Sequence, residues 1–371
     1  MHKPKKQCHD CMQCSAHNVN NEETCMQSNP FFPPASSSPS DPMPSRRSLL
    51  RHGGGLALAA AMASLGLPAH AQSRYPTRPL RMVIAFPPAG ATDILARIIA
   101  QGMTSQLGQS VVVENKPGAG GMIGLDAGAK APADGYNLFL CALTNQAIAG
   151  HLYPKATSDI TRDFEPIALL ANGAHILNVH PSVPAKTLPE FITWLKANDG
   201  KINYASQGNG TLSHLEAELL QQRAGVTAVH VPYRGSSQAL PDLISGKVSF
   251  MFDSVAASQP FVKTGQLRQL AVATSKRVPI YPDLPTVAEA GLPGYDADNW
   301  FGLYAPKGTP ADVRARLGEV LEKVLADAAV IDSLQQKGYV VTYGDARRLA
   351  TVTASDRAKW GTVIKTANVS L

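Results

Sequence analysis

The residues best placed to do chemistry here are short side chains and bare backbone, not a catalytic set. Phe86-Pro87-Pro88-Ala89-Gly90-Ala91-Thr92-Asp93 follows the apolar run Met82–Phe86. It precedes Ile94, Leu95, Ile98, Ile99 and Met103, an apolar stripe at a 3.6-residue period. The pattern predicts a buried strand, a tight loop and a helix. Pro87 and Pro88 stop the strand because proline lacks a ladder donor. Gly90 permits a tight backbone, and Thr92 or Asp93 caps the helix. Such a loop aims unpaired N–H groups and a positive helix end at one point, which suits an anion and above all a carboxylate. The alternative is a plain βα turn of an α/β sheet with no ligand.

A second stretch repeats the device. The strand Ile202–Ala205 leads into Ser206-Gln207-Gly208-Asn209-Gly210-Thr211, then a helix with Leu212, Leu215 and Leu219 on one face. Thr211 is the expected N-cap, and Ser213-x-x-Glu216 fits a capping box. Two such helix ends predict a cleft with one at each wall. Thr144-Asn145-Gln146 opens a further loop at a strand end. Arg234, ending the strand Val229–Tyr233, either meets a carboxylate bidentately or is a surface arginine. Asp253, ending Val248–Phe252, either binds a ligand donor or caps the next helix.

Two motifs point elsewhere and do not hold. His214-Leu215-Glu216 has the H-x-E of zinc deaminases, but residues 72–371 contain no P-C-x-x-C. His214 therefore reads as a cap or a cleft hydrogen-bonding residue, and no metal is expected. Gly118-Ala119-Gly120-Gly121-x-x-Gly124 has the register G-x-G-x-x-x-G, and the next strand ends without the acidic residue that holds a ribose. Close helix–strand packing explains its glycines, and no cofactor is expected.

The chain has 371 residues and a net charge of +6. Residues 1–42 are rich in Pro, Ser, Asn and Cys and are read as disordered or as an over-extended frame, with Met43 as the true start. Residues 43–71 read as an export signal: a basic Ser45-Arg46-Arg47 region, an apolar run Leu56–Leu67 too short to span a bilayer, and a small-x-small site at Ala69-His70-Ala71. Cleavage after Ala71 places the product in the periplasm; the arginine pair fits the twin-arginine route, and an ordinary secretory signal also fits. Residues 1–71 hold six Lys/Arg and four Asp/Glu, so residues 72–371 carry +4. That mild excess, with no Lys/Arg cluster among aromatics, does not indicate nucleic acid, which is not expected as a partner, and is compatible with collecting small anions. Cys8, Cys11, Cys14 and Cys25 precede Ala71, which leaves Cys141 and no internal disulfide.

These elements need two α/β lobes to position them. The strand pattern places one crossing near residues 174–182 and a return over Asn299–Ala305. The first lobe is then 72–175 with 300–371, and the second is 176–299. Thr309-Pro310 starts a strong helix with Val313, Leu317, Val320, Leu321 and Val324 on its buried side.

From Tyr75 onward the chain resembles the Bug receptors, the TctC-like substrate-binding proteins of tripartite tricarboxylate transporters. The resemblance rests on Tyr75-Pro76-x-x-Pro79, Phe86–Asp93, Glu114-Asn115-Lys116-Pro117-Gly118-Ala119-Gly120-Gly121 and Pro132-Ala133-Asp134-Gly135-Tyr136. It continues through Gly208-Asn209-Gly210-Thr211-x-x-His214-Leu215, Val231-Pro232-Tyr233-Arg234-Gly235 and Pro282-Asp283-Leu284-Pro285-Thr286. It implies a type II periplasmic-binding-protein fold, two α/β lobes joined by two crossovers around a cleft that closes on ligand. It also implies that backbone N–H groups and bridging waters hold a ligand carboxylate from Phe86–Asp93 and Ser206–Thr211, with Thr144–Gln146 and Asp253 as secondary candidates. Ala89 stands where a glycine pair is common, and Thr211 where Ser is frequent. The expected protein is a monomeric, exported receptor for a small carboxylate, without chemistry of its own, serving membrane permease subunits or a sensor domain. The other class is an exported α/β enzyme acting on a carboxylated substrate through Asp93, His214 and Asp253.

Overall fold

The computed structural model describes residues 75–153, 155–366 and 369–370. The expected export signal, the start at Met43 and the N-terminal cysteines lie outside them. The chain opens with β1 (Leu80–Ile84), α1 (Ala91–Leu107), β2 (Val111–Asn115), α2 (Met122–Ala129), β3 (Asn137–Ala142), α3 (Leu143–Leu152) and β4 (Phe164–Gly173). It continues through β5 (His175–Val179), α4 (Leu188–Ala197), β6 (Asn203–Ser206), α5 (Leu212–Ala224), β7 (Val229–Pro232), α6 (Ser236–Ile244), β8 (Phe250–Ser254), α7 (Val255–Lys263) and β9 (Arg268–Val272). It closes with β10 (Trp300–Pro306), α8 (Ala311–Ala326), α9 (Ala328–Gln335), β11 (Tyr339–Gly344) and α10 (Ala346–Thr366).

The apolar strands sort into two sheets, six-stranded in the order β11-β4-β10-β3-β1-β2 and five-stranded in the order β7-β6-β8-β5-β9. In the first, β1 runs parallel to β2 and β3 while β10 is antiparallel to β3 and β4. In the second, β6 is parallel to β7 and β8, and β5 antiparallel to β8 and β9. The parallel strands start behind helices, so their C-terminal ends and the loops beyond them face the other lobe, where α/β sheets place ligands.

Periodicity becomes packing in the first core. The stripe residues Leu95, Ile99 and Met103 of α1 are buried, as are Leu317, Val320, Leu321 and Val324 of α8. The two helices meet at Gly102, where a Cβ would lie 2.6 Å from Val324 Cγ1. Each fully buried side chain of this size contributes about 1.5–3 kcal/mol. The helix expected over Leu188–Ala197 is α4, capped by Thr187, whose hydroxyl accepts from Glu190 N.

The two crossings are tighter than the sequence suggests. Only Ala174 separates β4 of the first sheet from β5 of the second, and the return enters β10 at Trp300. Asn172 ties them together: its Nδ2 donates to Asp298 Oδ1 at 2.8 Å and its Oδ1 accepts from Asn299 N at 3.2 Å. The architecture is thus two α/β lobes joined by two crossing segments.

Candidate functional site

Where the lobes meet, a cavity of about 230 Å³ is enclosed by loops from both. The first lobe supplies Ala85–Pro87 after β1 and Pro117–Gly121 after β2, and Tyr153, at the end of α3, packs against the second lobe's core. The second supplies Gln207–Asn209 after β6 and Pro232–Arg234 after β7. The lobes touch around it. Tyr153 Oη donates to Asn209 O at 3.2 Å. A Cβ on Gly120 would lie 2.8 Å from Tyr153 Oη and 2.9 Å from Asn209 O, and one on Gly235 only 2.5 Å from Pro87 Cγ. Glycine is required at both closures, and each also has positive φ, 61° and 103°.

Of the residues expected at the site, Phe86, Gly208, Asn209 and Arg234 line this cavity. Arg234 is exposed at its rim and makes no ion pair among the described residues. Ala89, Gly90, Ala91, Thr92 and Asp93 stand behind the lining, as the entry to α1. Gly90, not Thr92 or Asp93, is the N-cap, and no side chain caps it. The reason is that Asp93 is spent locally. Its carboxylate accepts from Ala89 N (3.0 Å), Asn115 Nδ2 (2.9 Å), and Arg97 Nε and Nη2 (2.9 and 2.8 Å). Burial works to raise its pKa, but Arg97, Asn115 and the Ala89 amide outweigh it and hold the group below the usual carboxylate range. Asp93 fastens the loop; it is not a free ligand group.

The second helix end is also largely committed within the protein. Leu212 N donates to Asn145 Oδ1 at 2.9 Å, Thr211 N to Gly208 O, and Gly210 N to His214 Nδ1 at 3.3 Å. Thr211 occupies the N-cap position, yet its hydroxyl donates to Gly208 O at 2.8 Å and does not cap. The expected capping box is absent: Ser213 Oγ donates to Phe252 O at 2.5 Å, and Glu216 pairs with buried His175 at 2.7 Å. Ser206 Oγ braces the loop from beneath, 3.1 Å from Gly208 N and 2.6 Å from His230 Nε2. Both loops therefore arrive pre-shaped, with one side chain of the first lobe, Asn145, capping a helix of the second.

Thr144–Gln146 is not a loop but the first turn of α3. Thr144 lies at the crossings, where its Oγ1 is 2.7 Å from Asp356 Oδ2 and accepts from Trp300 N at 3.1 Å. Asp253 is fully buried and acts one step back from the cavity. Its Oδ1 accepts from Gln207 Nε2 (2.7 Å), Ser236 Oγ (2.7 Å) and Ser254 N (2.8 Å), which orients the lining residue Gln207. Burial raises its pKa, against the opposing influence of His175. The next helix is capped by Ser254, which accepts from Ala257 N.

Sequence reasoning missed Pro117–Gly121, Tyr153 and Tyr233 as site residues, and had Gln207 only as a member of the 206–211 loop. Close packing explains Gly124, where a Cβ would lie 2.5 Å from Ala85 Cα, and leaves no room for a Cβ at Gly118, Gly120 or Gly121 either, but these three also line the cavity. The signal was present: β2, a Gly-rich loop and α2 form a third strand–loop–helix unit beside the first. The amides of Gly121, Met122 and Ile123 are taken up by Gly118 O and Ala119 O, and the turn ahead of them, with left-handed Gly120 (φ 61°) and Gly121 (φ 98°), forms a concavity of the kind that favours anions. The lining has no carboxylate, and its one charged group is the Arg234 guanidinium; the Tyr153 hydroxyl is spent on Asn209 O, and Gln207 Nε2 on Asp253 and Ser236. It is chemically suited to an anion.

The pattern of the family described as tripartite tricarboxylate transporter family receptor matches residues 95–369. Among solved structures the chain is similar to the periplasmic binding protein BugD, at 35% identity and a TM-score of 0.76 over 80% of this chain and 99% of that one. It is similar to R. palustris Rpa4515 with adipate, at 33% identity and a TM-score of 0.77 over 80% and 99%. It is also similar to MatC from Rhodopseudomonas palustris with bound malate, at 32% identity and a TM-score of 0.74 over 78% and 100%.

Proposed function

The chain belongs to the tripartite tricarboxylate transporter receptor family, a family of receptors and not of enzymes, and on that premise we propose that it binds a small dicarboxylate in the interlobe cavity. The protein closes on this ligand by hinge motion and delivers it from the periplasm to a tripartite tricarboxylate-type transporter. The observation that carries the reading is the interlobe cavity itself: about 230 Å³, walled by loops of both lobes and open at a rim that carries Arg234. Relatives with adipate and malate support the ligand class. Backbone groups of 118–121 and 207–209 hold one carboxylate, and Arg234 offers a fork to the other.

Calorimetric titration with malate and adipate tests this. One of them binds with one-to-one stoichiometry and no turnover. Arg234→Gln weakens it at least tenfold, about 1.4 kcal/mol, while leaving thermal stability unchanged. If neither malate nor adipate binds, the dicarboxylate reading fails; product formation would instead favour an enzyme.

A further inference from the structure

The crevice between the lobes has a second end. The carboxylate cavity is built at the β1–β2 edge of the first sheet and the β6–β7 edge of the second. At the opposite edges, where β11 and β9 lie, a separate cavity of about 400 Å³ opens. Its walls come from both crossings, from an edge strand of the first sheet and from the segment after the edge strand of the second. Asn172 belongs to the first crossing, Asp298 and Trp300 to the second, Val340 and Thr342 to edge strand β11, and Lys276 to the segment after β9. Its size falls within the usual range for small-molecule sites, and it sets the apolar surfaces of Val278, Pro279, Trp300 and Val340 among polar and charged side chains. Trp300 is half-buried and Val340 is 40% exposed. Arg277 is committed to Glu289 and Pro282, and Asp298 to Asn172. Lys276 makes no ion pair among the described residues.

We infer that this hinge-side cavity is a second ligand site, for an amphipathic organic anion whose apolar body lies on Trp300 and Val340 and whose carboxylate meets Lys276. Asn172 and Asp298, whose hydrogen bond ties the two crossings, are part of its wall. Hinge rotation is absorbed at a few residues at element ends, here Ala174 and Asp298, both of which line the cavity. The cavity's shape therefore depends on the interlobe angle. A ligand that fits one angle better shifts closure toward it, and the effect on the carboxylate cavity is reciprocal. That coupling rests on the receptor reading above; the site itself does not.

Phenylacetate is the probe, and Trp300 fluorescence the readout. Saturable quenching is expected that persists under saturating malate or adipate, disappears in Trp300→Phe, and is weakened at least tenfold by Lys276→Glu. Val340→Trp, which fills the cavity from an exposed position, abolishes it without loss of fold. Calorimetry should also show phenylacetate changing the affinity of the cleft ligand by about 5- to 150-fold, but not in Val340→Trp. Absence of saturable quenching, or its competition by the cleft ligand, overturns the site. Quenching with unchanged cleft affinity overturns the coupling. Failure of the cleft ligands to bind overturns the dicarboxylate reading and leaves the quenching test standing.

Discussion

His214 and His230 stack ring on ring, centroids 3.9 Å apart and planes 6° apart, with the Tyr204 ring beside them, 4.9 Å from His230 and 6.5 Å from His214. Burial holds both imidazoles below the usual histidine range, His230 at about 3, with Glu218 partly opposing the shift at His214. Neutral, they brace the 206–211 loop through Ser206 and Gly210. The unfolded chain takes up protons near pH ~6.5, where the folded pair does not. The stack's contribution is thus present above that pH and is lost as pH falls through the window down to about 3. The melting temperature is expected to drop along this acid limb, and His230→Gln to flatten it; an unchanged limb contradicts the role. Little of this was legible in the sequence, because His230 joins His214 only through β7 pairing with β6. Asp93 teaches the same lesson. Its i,i+4 spacing to Arg97 is local and readable, but Asn115 and the Ala89 amide, which complete its shell, come together only in the fold.

At the level of elements, periodic helices were readable and all-buried ones were not. α4 shows an apolar face, a Thr cap and an early proline, so its span follows from the sequence. α3 has seven consecutive buried residues, Leu143–Ala149, and hence no stripe. It starts at Ala142 without a side-chain cap, so Thr144–Gln146 read as a loop. The helix instead lends a cap to its neighbour across the lobes, from Asn145 to Leu212 N. Asn145→Ala leaves that buried amide without an acceptor and is expected to cost about 1–2 kcal/mol in denaturant unfolding. A loss below ~0.3 kcal/mol would mean that the amide finds another partner. The strand–loop–helix device was also legible, but which copy lines the cavity was not. That choice depends on sheet order, which sets the β2 loop beside the β1 loop and turns its glycines toward the second lobe.

For the whole molecule, the strand pattern and the family motifs indicated two lobes and two crossings, whereas the lobe-to-lobe contacts were invisible to them. Those contacts lead to a prediction about shape. Gly120→Val places a branched side chain against Tyr153 and Asn209 at a left-handed backbone position, so the lobes can no longer meet there. Small-angle scattering of the native protein is expected to show compaction when malate or adipate is added, and of Gly120→Val to show none. Equal compaction in both would mean that closure does not pass through this contact.

The most direct measurement is a crystal structure of the protein with a bound dicarboxylate. Carboxylate oxygens are expected within hydrogen-bonding distance of the backbone at 118–121 or 207–209, with Arg234 reaching the far end. A ligand seated outside the space between these loops, or lobes that stay apart around it, would contradict the account.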